Sequence, residues 1–467
     1  MSLKVVSKFN KKNILIIGLG KTGISAYNFF SHQESSPHLI ITDTDISKKN
    51  QYPHYNFQNL TNIDYKNIDY VFISPGISLH TQENNFLKLQ ITKYKIPILG
   101  DIELNYLYNN SSNYIGITGT NGKSTTTSLI YHILEYIKSV KKESYKNSIC
   151  GNIGIPILSI QNMKKKDNYI VETSSYQLER LNKSKFNIAC LLNITADHLE
   201  HHNGFKNYIL AKSQIFNNQT KKDFAVISID DAPCLNIYKN LTKNNHQIII
   251  PISIEKNIES GIYIDKNNYL INNLNNKNIK VYNLSHLFYL KGKHNYQNIA
   301  FAYAVAKIKK ISNKLFVEAL STFKGLTHRQ TLIGNFKNLT FINDSKATNQ
   351  ESTKFALEAF DNIYWILGGI EKVDNLDLCL PLLTKVKKCF LIGKSSNLFY
   401  KILHNKVECF QHNTLQNAIN QAIDLGLKEK SPITILFSPA CASFDMFKNF
   451  EDRGNQFTDI VKSIINV

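Results

Sequence analysis

Along this chain, short apolar runs end on glycine, serine or aspartate, and a helical pattern follows each of them. Residues 13–17 form such a run, Gly18-Leu-Gly-Lys-Thr-Gly23 turns it sharply, and a helix starts over 24–30. Residues 39–42 repeat the strand signature and stop at Asp43, and 70–73 do so before Ser74-Pro-Gly76. A second series starts near Tyr114, with strands expected at 114–118, 169–171 and 188–194. From 224 to 282 the pattern changes to short β-like pieces between Asn-rich turns, which predicts an accessory sheet, and a helix follows over 295–309. A third series has strands at 339–343, 363–367, 389–392 and 433–437. Strands alternating with helices imply parallel sheets covered on both faces. The expected architecture is therefore α/β in three domains: a Rossmann-like 1–104, a central P-loop ATPase-type parallel sheet with accessory strands at 105–326, and a Rossmann-like 327–467.

The run at 114–118 leads into Gly116-Ile-Thr-Gly-Thr-Asn-Gly-Lys-Ser-Thr-Thr126. Backbone N–H groups converging at a helix N-terminus bind phosphate, and glycines let the chain come close. The strict P-loop pattern places a glycine five positions before Gly122, where this chain has Ile117. The shortened form Gly119-x-x-Gly122-Lys-Ser is either an ordinary glycine turn or a phosphate loop. The helix after it, with Leu129, Ile130, Ile133, Leu134 and Ile137 on one face, favours the loop. Lys123 would then reach a nucleotide's terminal phosphates and Ser124 would offer a hydroxyl to Mg²⁺.

Ligands of such sheets gather at the carboxyl ends of the strands. Glu172 ends one strand, and Asp197 and His198 follow another. Glu172 alone reads equally well as a helix cap. Beside His198 and the loop it reads as a magnesium ligand, since Mg²⁺ takes oxygen ligands and keeps several waters. The helical stretch 205–216 has Phe205, Tyr208, Ile209, Ile215 and Phe216 on its apolar face, and Lys212 falls on the same face. Such a lysine either snorkels its head into water or is held with a depressed pKa. In the second case its neutral amine can capture CO₂ as a carbamate, which turns a cation into an oxygen ligand.

Charge and cysteine content narrow the partners. The 55 Lys and Arg outnumber the 36 Asp and Glu, for a net charge of +19. The basic residues are dispersed, however, and no nucleic-acid stripe stands out. Seven scattered cysteines without a Cys-x-x-Cys pair point to a reducing compartment. No run is long enough for a membrane span, and the apolar run at 14–17 is too short for a signal peptide. A cytoplasmic protein without membrane insertion is the expectation.

Taken in order, the motifs resemble the Mur ligases of peptidoglycan synthesis, essentially end to end. The matching stretches are Gly119-Thr-Asn-Gly-Lys-Ser-Thr125, Gly151-Asn-Ile-Gly154, Glu172-Thr-Ser-Ser-Tyr-Gln-Leu-Glu179, Asn193-Ile-Thr-Ala-Asp-His198 and Lys293-His-Asn-Tyr-Gln-Asn298. His328-Arg329, Asn343-Asp-Ser-Lys-Ala-Thr-Asn349 and Ser438-Pro-Ala-Cys-Ala-Ser-Phe-Asp445 complete the set. The phosphate loop is common to the family, whereas the last two stretches resemble the branch that adds D-glutamate to UDP-N-acetylmuramoyl-L-alanine.

The resemblance implies ATP and Mg²⁺ as cofactors and a monomeric state. ATP would be bound by Gly119, Thr120, Asn121, Gly122, Lys123, Ser124 and Thr125, with Asn295, Asn298, Arg329 and Asp344. Lys123, Glu172, His198 and carbamylated Lys212 would carry catalysis, and Ser124, Glu172, His198 and Lys212 would hold the metal. The uridine diphosphate of the substrate would meet Lys21, Thr22, Asp43, Thr44, Ser74 and Gly76, its sugar-peptide end Asn152 and His198, and D-glutamate Lys346, Thr348, Lys372, Ser443 and Phe450. The substrate's carboxylate would attack the γ-phosphate to give an acyl phosphate, and the amine would displace phosphate through a tetrahedral intermediate.

Two positions depart from the family pattern. Asp45 stands where a basic residue often follows the Asp-Thr pair, and Ile370-Glu371 precedes Lys372 where Asp or Gln is usual. By its residues alone, Lys372 is a surface loop cation. Three rival readings remain: a dehydrogenase using Gly18 to Gly23 with Asp43 for NAD, a related ligase such as a folylpolyglutamate synthase, and a non-catalytic nucleotide-binding regulator.

Overall fold

The computed structural model describes residues 9–32, 36–43, 45, 47–197, 199–287, 289–290, 292–370 and 375–465. Among the described residues the strands form three sheets. These lie in two compact units, one of residues 1–285 with 296–322 and the other of 286–295 with 323–467.

In the first unit, β1 (Asn13–Ile17), β2 (His38–Thr42), β3 (Tyr70–Ile73) and β4 (Ile98–Leu99) form a parallel sheet in the order β2-β1-β3-β4. Helix α1 (Lys21–Ser31) follows the turn after β1. Gly18 makes that turn at φ +90°, and a Cβ there would sit 2.7 Å from Ile77 Cδ1 and 2.9 Å from Ser74 Cβ. Only glycine combines that conformation with that approach.

The second sheet holds β5 (Asn113–Thr118), β6 (Asn147–Gly151), β7 (Asn168–Glu172), β8 (Ile188–Leu191), β9 (Phe224–Ser228), β10 (Ile248–Ser253), β11 (Ile262–Ile264), β12 (Tyr269–Asn272) and β13 (Ile279–Asn283). Its order is β13-β12-β11-β10-β9-β8-β5-β7-β6. Strand β5 is therefore central, with β7 and β8 parallel on either side. The helices of this sheet include α2 (Lys123–Lys141), α3 (Ser175–Leu178), α4 (Leu199–His202), α5 (Phe205–Ser213), α6 (Ala232–Asn244) and α7 (Lys293–Ile308). Residues of the first two sheets share one apolar core, in which the Tyr114 and Tyr169 rings stack 4.8 Å apart.

Two expectations are corrected here. The stretch 224–282 is not a separate accessory sheet. Strand β9 pairs in parallel with β8, β10 and β11 continue the same sheet in parallel, and only the β11–β12 and β12–β13 pairings are antiparallel. Four of the five β9 residues are buried, so the strand is covered on both faces as an interior parallel strand is. The αβ unit was obscured because α6 buries few side chains, Cys234 and Ile237 among them. Its start was marked all the same: Asp231 caps the helix by accepting from Cys234 N–H, and Pro233 stands in the first turn. The strand expected to run to residue 194 ends at Leu191. Beyond it Asn193, Ile194 and Thr195 spend their polar groups on other loops.

In the second unit, β14 (Thr331–Phe336), β15 (Leu339–Asn343), β16 (Ile363–Gly368), β17 (Val386–Ile392), β18 (Glu408–Gln411) and β19 (Ile433–Phe437) form a sheet in the order β14-β15-β19-β16-β17-β18. Only the β14–β15 hairpin is antiparallel. Helix α8 (Phe450–Ile465) packs Phe457 and Val461 into its core. The mixed α/β class with parallel-rich sheets agrees with the sequence expectation. Strands β4, β6, β14 and β18 were missed because they are short or lie at sheet edges with partly exposed residues.

Candidate active site

Strand β5 delivers its carboxyl end into the loop 119–122, and α2 departs from it. Gly122 sits at φ +83°, and a Cβ there would lie 2.4 Å from Asn298 Oδ1. Asn298 of α7 thus closes directly on the loop, and its Oδ1 accepts from Thr126 Oγ1 at 3.0 Å. The loop's other side is clamped by the segment after β8. Asn121 N–H donates to Asn193 Oδ1 at 2.8 Å, and Asn193 Nδ2 donates to Gln297 Oε1 at 2.8 Å. Thr120 N–H reaches the Asn193 carbonyl at 2.9 Å, and Thr120 Oγ1 the Thr195 carbonyl at 3.1 Å. Lys123 Nζ folds back onto the carbonyls of Gly119 (2.9 Å) and Thr120 (2.8 Å). Ser124 and Thr125 follow on the first turn of α2. Asn295 stands three residues ahead of Asn298 on α7 and is buried. The clamp residue Gln297 was not foreseen, although it lies inside the quoted stretch 293–298.

Lys212 does not snorkel. It is 1% exposed, and its Nζ donates to the same Gly119 carbonyl at 2.8 Å. The ammonium lies 4.7 Å over the Tyr208 ring, whose hydroxyl shares a hydrogen bond with Thr120 Oγ1 at 3.1 Å. Burial, and then the neighbouring charge of Lys123, push the Lys212 amine well below its ordinary pKa, with Asp197 and Glu172 opposing.

Glu172, at the end of β7, is 1% exposed. Its Oε1 accepts from Asn152 Nδ2 at 2.8 Å, whereas Oε2 is buried with no hydrogen-bond partner. A buried carboxylate oxygen left unpaired is costly, and a cation would relieve it. Among the described residues no three His, Cys, Asp or Glu side chains gather as a metal cage. The donors present are a carboxylate, the Ser124 hydroxyl and a lysine able to become a carbamate. The carboxylate and the hydroxyl are oxygen donors of the kind Mg²⁺ takes. His198 lies outside the described residues.

In the N-terminal sheet, buried Asp43 accepts from Leu19 N–H (2.5 Å) and Lys48 Nζ (2.8 Å) on Oδ2, and from Asp45 N–H (2.9 Å) on Oδ1. Burial opposes its charge, but these hydrogen bonds outweigh burial and hold the carboxyl below its ordinary value. Three of its four lone-pair sites are thereby used, leaving little to grip a dinucleotide ribose. Asp45 turns to Ser47, donated to by its Oγ at 2.6 Å, and Lys48 supplies the cation beside Asp43. Ser74 Oγ donates to the Gly18 carbonyl at 2.7 Å. Lys21 and Gly76 are exposed and Thr22 half-buried, while Thr44 lies outside the described residues. Asn152 stands apart from these, at Glu172.

In the second unit, Asp344 follows the end of β15 and is fully buried. Its Oδ2 accepts from Ser438 Oγ at 2.7 Å and Oδ1 from Gln330 N–H at 3.1 Å. Lys346 Nζ lies 5.5 Å over the Phe450 ring, Ser345 Oγ donates to the Phe450 carbonyl at 2.9 Å, and Ser443 is buried. Thr348 and Arg329 are half-buried, and Lys372 lies outside the described residues. The geometry of this unit thus gathers Asp344, Lys346, Ser443 and Phe450 at the carboxyl ends of β15, β16 and β19.

Burial pushes the Asp344 carboxyl up to about 7. A carboxyl raised in the folded state binds its proton more tightly there than when unfolded. Its contribution to stability is therefore lost as the pH rises from about 4 to about 7. Asp344→Asn is expected to remove that loss, roughly 1.4 kcal/mol per pH unit at most. Thermal unfolding at pH 5 and pH 8 checks this: the gap between the two melting temperatures narrows in the variant. An unchanged gap would rule the assignment out.

A central parallel sheet whose phosphate loop, buried carboxylate and buried lysine share one rim defines an enzyme that handles nucleotide phosphates. A family profile described as the Mur ligase middle domain matches residues 117–306, and one described as the Mur ligase MurD-like N-terminal domain matches residues 12–94. The chain belongs to the Mur ligase family, and it is a ligase. It is 36% identical over 461 residues to the UDP-N-acetylmuramoylalanine--D-glutamate ligase of Rickettsia felis, covering 98% of each chain. It is 34% identical over 467 residues to the ligase of the same name from Caulobacter vibrioides, covering 98% of this chain and 97% of the other. Its fold is similar to that of the UDP-N-acetylmuramate-alanine ligase MurC from Thermotoga maritima, with a TM-score of 0.56, 15% identity and coverage of 97% and 99%. It is also similar to the MurF ligase of Thermotoga maritima solved in complex with ADP, with a TM-score of 0.54, 15% identity and coverage of 99% and 96%. No helix among the described residues is long and apolar enough to cross a membrane.

Proposed function

We propose that this ligase joins D-glutamate to UDP-N-acetylmuramoyl-L-alanine at the expense of ATP, in peptidoglycan synthesis. The observation that carries the reading is the meeting of two amines, from Lys123 and Lys212, on the Gly119 carbonyl, in the electrostatic reach of Glu172 with its unpaired oxygen. The names of the full-length relatives supply the substrates.

In this reading residues 1–104 take the nucleotide sugar, 105–326 take ATP, and 327–467 take the amino acid. The loop 119–125 cradles the phosphates, and Lys123 exchanges its backbone carbonyls for phosphate oxygens, which are stronger acceptors for an ammonium. Asn295, Asn298, Arg329 and Asp344 are the further residues that bind ATP. Lys212 would take up CO₂: its nitrogen lone pair bonds the carbon and a proton leaves, which turns the amine into an oxygen donor. Glu172, Ser124, His198 and that carbamate would hold Mg²⁺, which supplies Lewis-acid stabilisation of charge on the transferring phosphoryl group. Lys21, Thr22, Asp43, Thr44, Ser74, Gly76 and Asn152 orient the nucleotide sugar. Its carboxylate displaces ADP from the γ-phosphate, and the resulting acyl phosphate is attacked by the amine of D-glutamate, releasing phosphate and a proton. Lys346, Thr348, Lys372, Ser443 and Phe450 hold that amino acid. The enzyme acts as a monomer in the cytoplasm, where ATP is available.

The test offers each amino acid in turn to the purified enzyme with ATP, Mg²⁺ and UDP-N-acetylmuramoyl-L-alanine, and follows phosphate release and the amide product. D-Glutamate is expected to exceed L-glutamate by at least about 100-fold, as a site built to pair polar groups allows. Joining of L-amino acids in its place would refute the assignment.

A further inference from the structure

Arg180, just after α3, plays no part in the chemistry above. Its Nη1 donates to the Ile73 carbonyl and its Nη2 to the Ile77 carbonyl, each at 2.6 Å. These two carbonyls bracket Ser74 and Gly76 in the loop that leaves β3. Gly100, after β4, makes room for the arginine, since a Cβ there would sit 3.0 Å from Arg180 Cβ.

The residue before Arg180 joins α4. Glu179 Oε1 lies 2.6 Å from His202 Nδ1, and His202 Nε2 lies 2.8 Å from Ser175 Oγ. Burial, with Lys212 nearby, lowers the His202 pKa and favours its neutral form. The carboxylate then takes Nδ1–H, and Nε2 accepts from the Ser175 hydroxyl. The order Ser-His-Glu is that of a hydrolase triad, but Ser175 is 3% exposed and His202 is 0% exposed, so no substrate carbonyl reaches the hydroxyl. The arrangement is instead a tie. It fixes α4, which follows residue 198, against the turn that starts at Glu172. Ser78 Oγ completes it by donating to the His201 carbonyl at 3.1 Å.

We propose that Arg180, with Glu179 and His202, is a positioning element that locks the loop after β3 to the Glu172 turn and α4. The nucleotide sugar's carboxylate is thereby presented to the phosphate loop at a fixed offset. This rests on the ligase reading, in which that loop meets the nucleotide sugar. Reacting groups must meet within about 3–3.5 Å, and a shift of about 1 Å costs roughly 100-fold in rate.

Arg180→Lys keeps the charge and stem and loses only the fork that spans two carbonyls. It is expected to lower kcat/KM for UDP-N-acetylmuramoyl-L-alanine by about 10–100-fold. The KM values for ATP and D-glutamate should stay within about twofold and the melting temperature should hold. Hydrogen exchange at the amides of Ser74, Gly76, Ile77 and Ser78 is expected to speed up. His202→Gln is expected to lower kcat and raise the Mg²⁺ concentration for half-maximal rate, with the nucleotide-sugar KM unchanged. An unchanged kcat/KM in Arg180→Lys, or an equal loss for all three substrates together with a fallen melting temperature, would overturn the proposal. A wild-type enzyme that joins no amino acid to the nucleotide sugar would overturn the ligase reading instead. In that case the exchange rates still decide the positioning element, and unchanged exchange at Ser74, Gly76, Ile77 and Ser78 sinks it.

Discussion

Lys123→Ala is expected to leave the fold intact and to lower ATP-dependent turnover by about 100–1,000-fold, the usual cost of deleting one preorganised group facing developing charge. The residue is only partly buried and lies on the first turn of α2, where alanine is a better helix former. Its Nζ rests on two carbonyls of the loop it belongs to. Phosphate release at saturating substrates, beside a melting curve, checks both halves. Turnover within a few-fold of the wild type, in a variant that melts normally, would mean that the amine does not meet the transferring phosphate.

Lys212→Met should have two effects of opposite sign. Turnover is expected to fall by about 100–1,000-fold, because the proposed carbamate can no longer form to hold the metal. Stability should equal or exceed that of the wild type, because a buried amine gives way to an apolar side chain of similar length. The pH dependence has a definite sign. The folded pKa lies below the ordinary 10.5, so the unfolded chain binds more protons between the two values. Stability from this group is therefore present above the unfolded pKa and is lost as the pH falls toward the folded one. The advantage of methionine should thus be larger at pH 6 than at pH 9. Wild-type activity should fall over the same direction, as the amine protonates and the carbamate dissociates, and bicarbonate should restore it in CO₂-depleted buffer. A ¹³C signal from labelled bicarbonate would report the adduct directly. Full activity without CO₂ and without that signal would dispose of the carbamate.

How much of this could be read from the chain differs from feature to feature. Strands β1, β3, β15 and β19 lie where the apolar runs placed them, because their burial on both faces demands continuous Val, Ile, Leu and Phe. Helix α6 was hidden by its polar composition, although Asp231 and Pro233 announced it. Lys212 stood out because a lysine on an apolar face breaks the helical period. Arg180 and His202 broke no pattern, although the quoted stretch 172–179 ends beside Arg180 and holds both hydrogen-bond partners of His202.

The order of apolar runs and turns along the chain was sufficient to determine the α/β class, whereas the family showed only as a resemblance carried by the motif stretches. These signals are local: they arise from side-chain period and backbone sterics within a few residues. Only the tertiary structure decided that β5 lies between β7 and β8, and so that Gly119, Glu172 and Lys212 face one rim. Only it left Glu172 Oε2 unpaired and set Arg180 across two carbonyls more than 100 positions away. Strand order depends on how several amphipathic layers bury their faces together, and no stretch of sequence carries that information by itself.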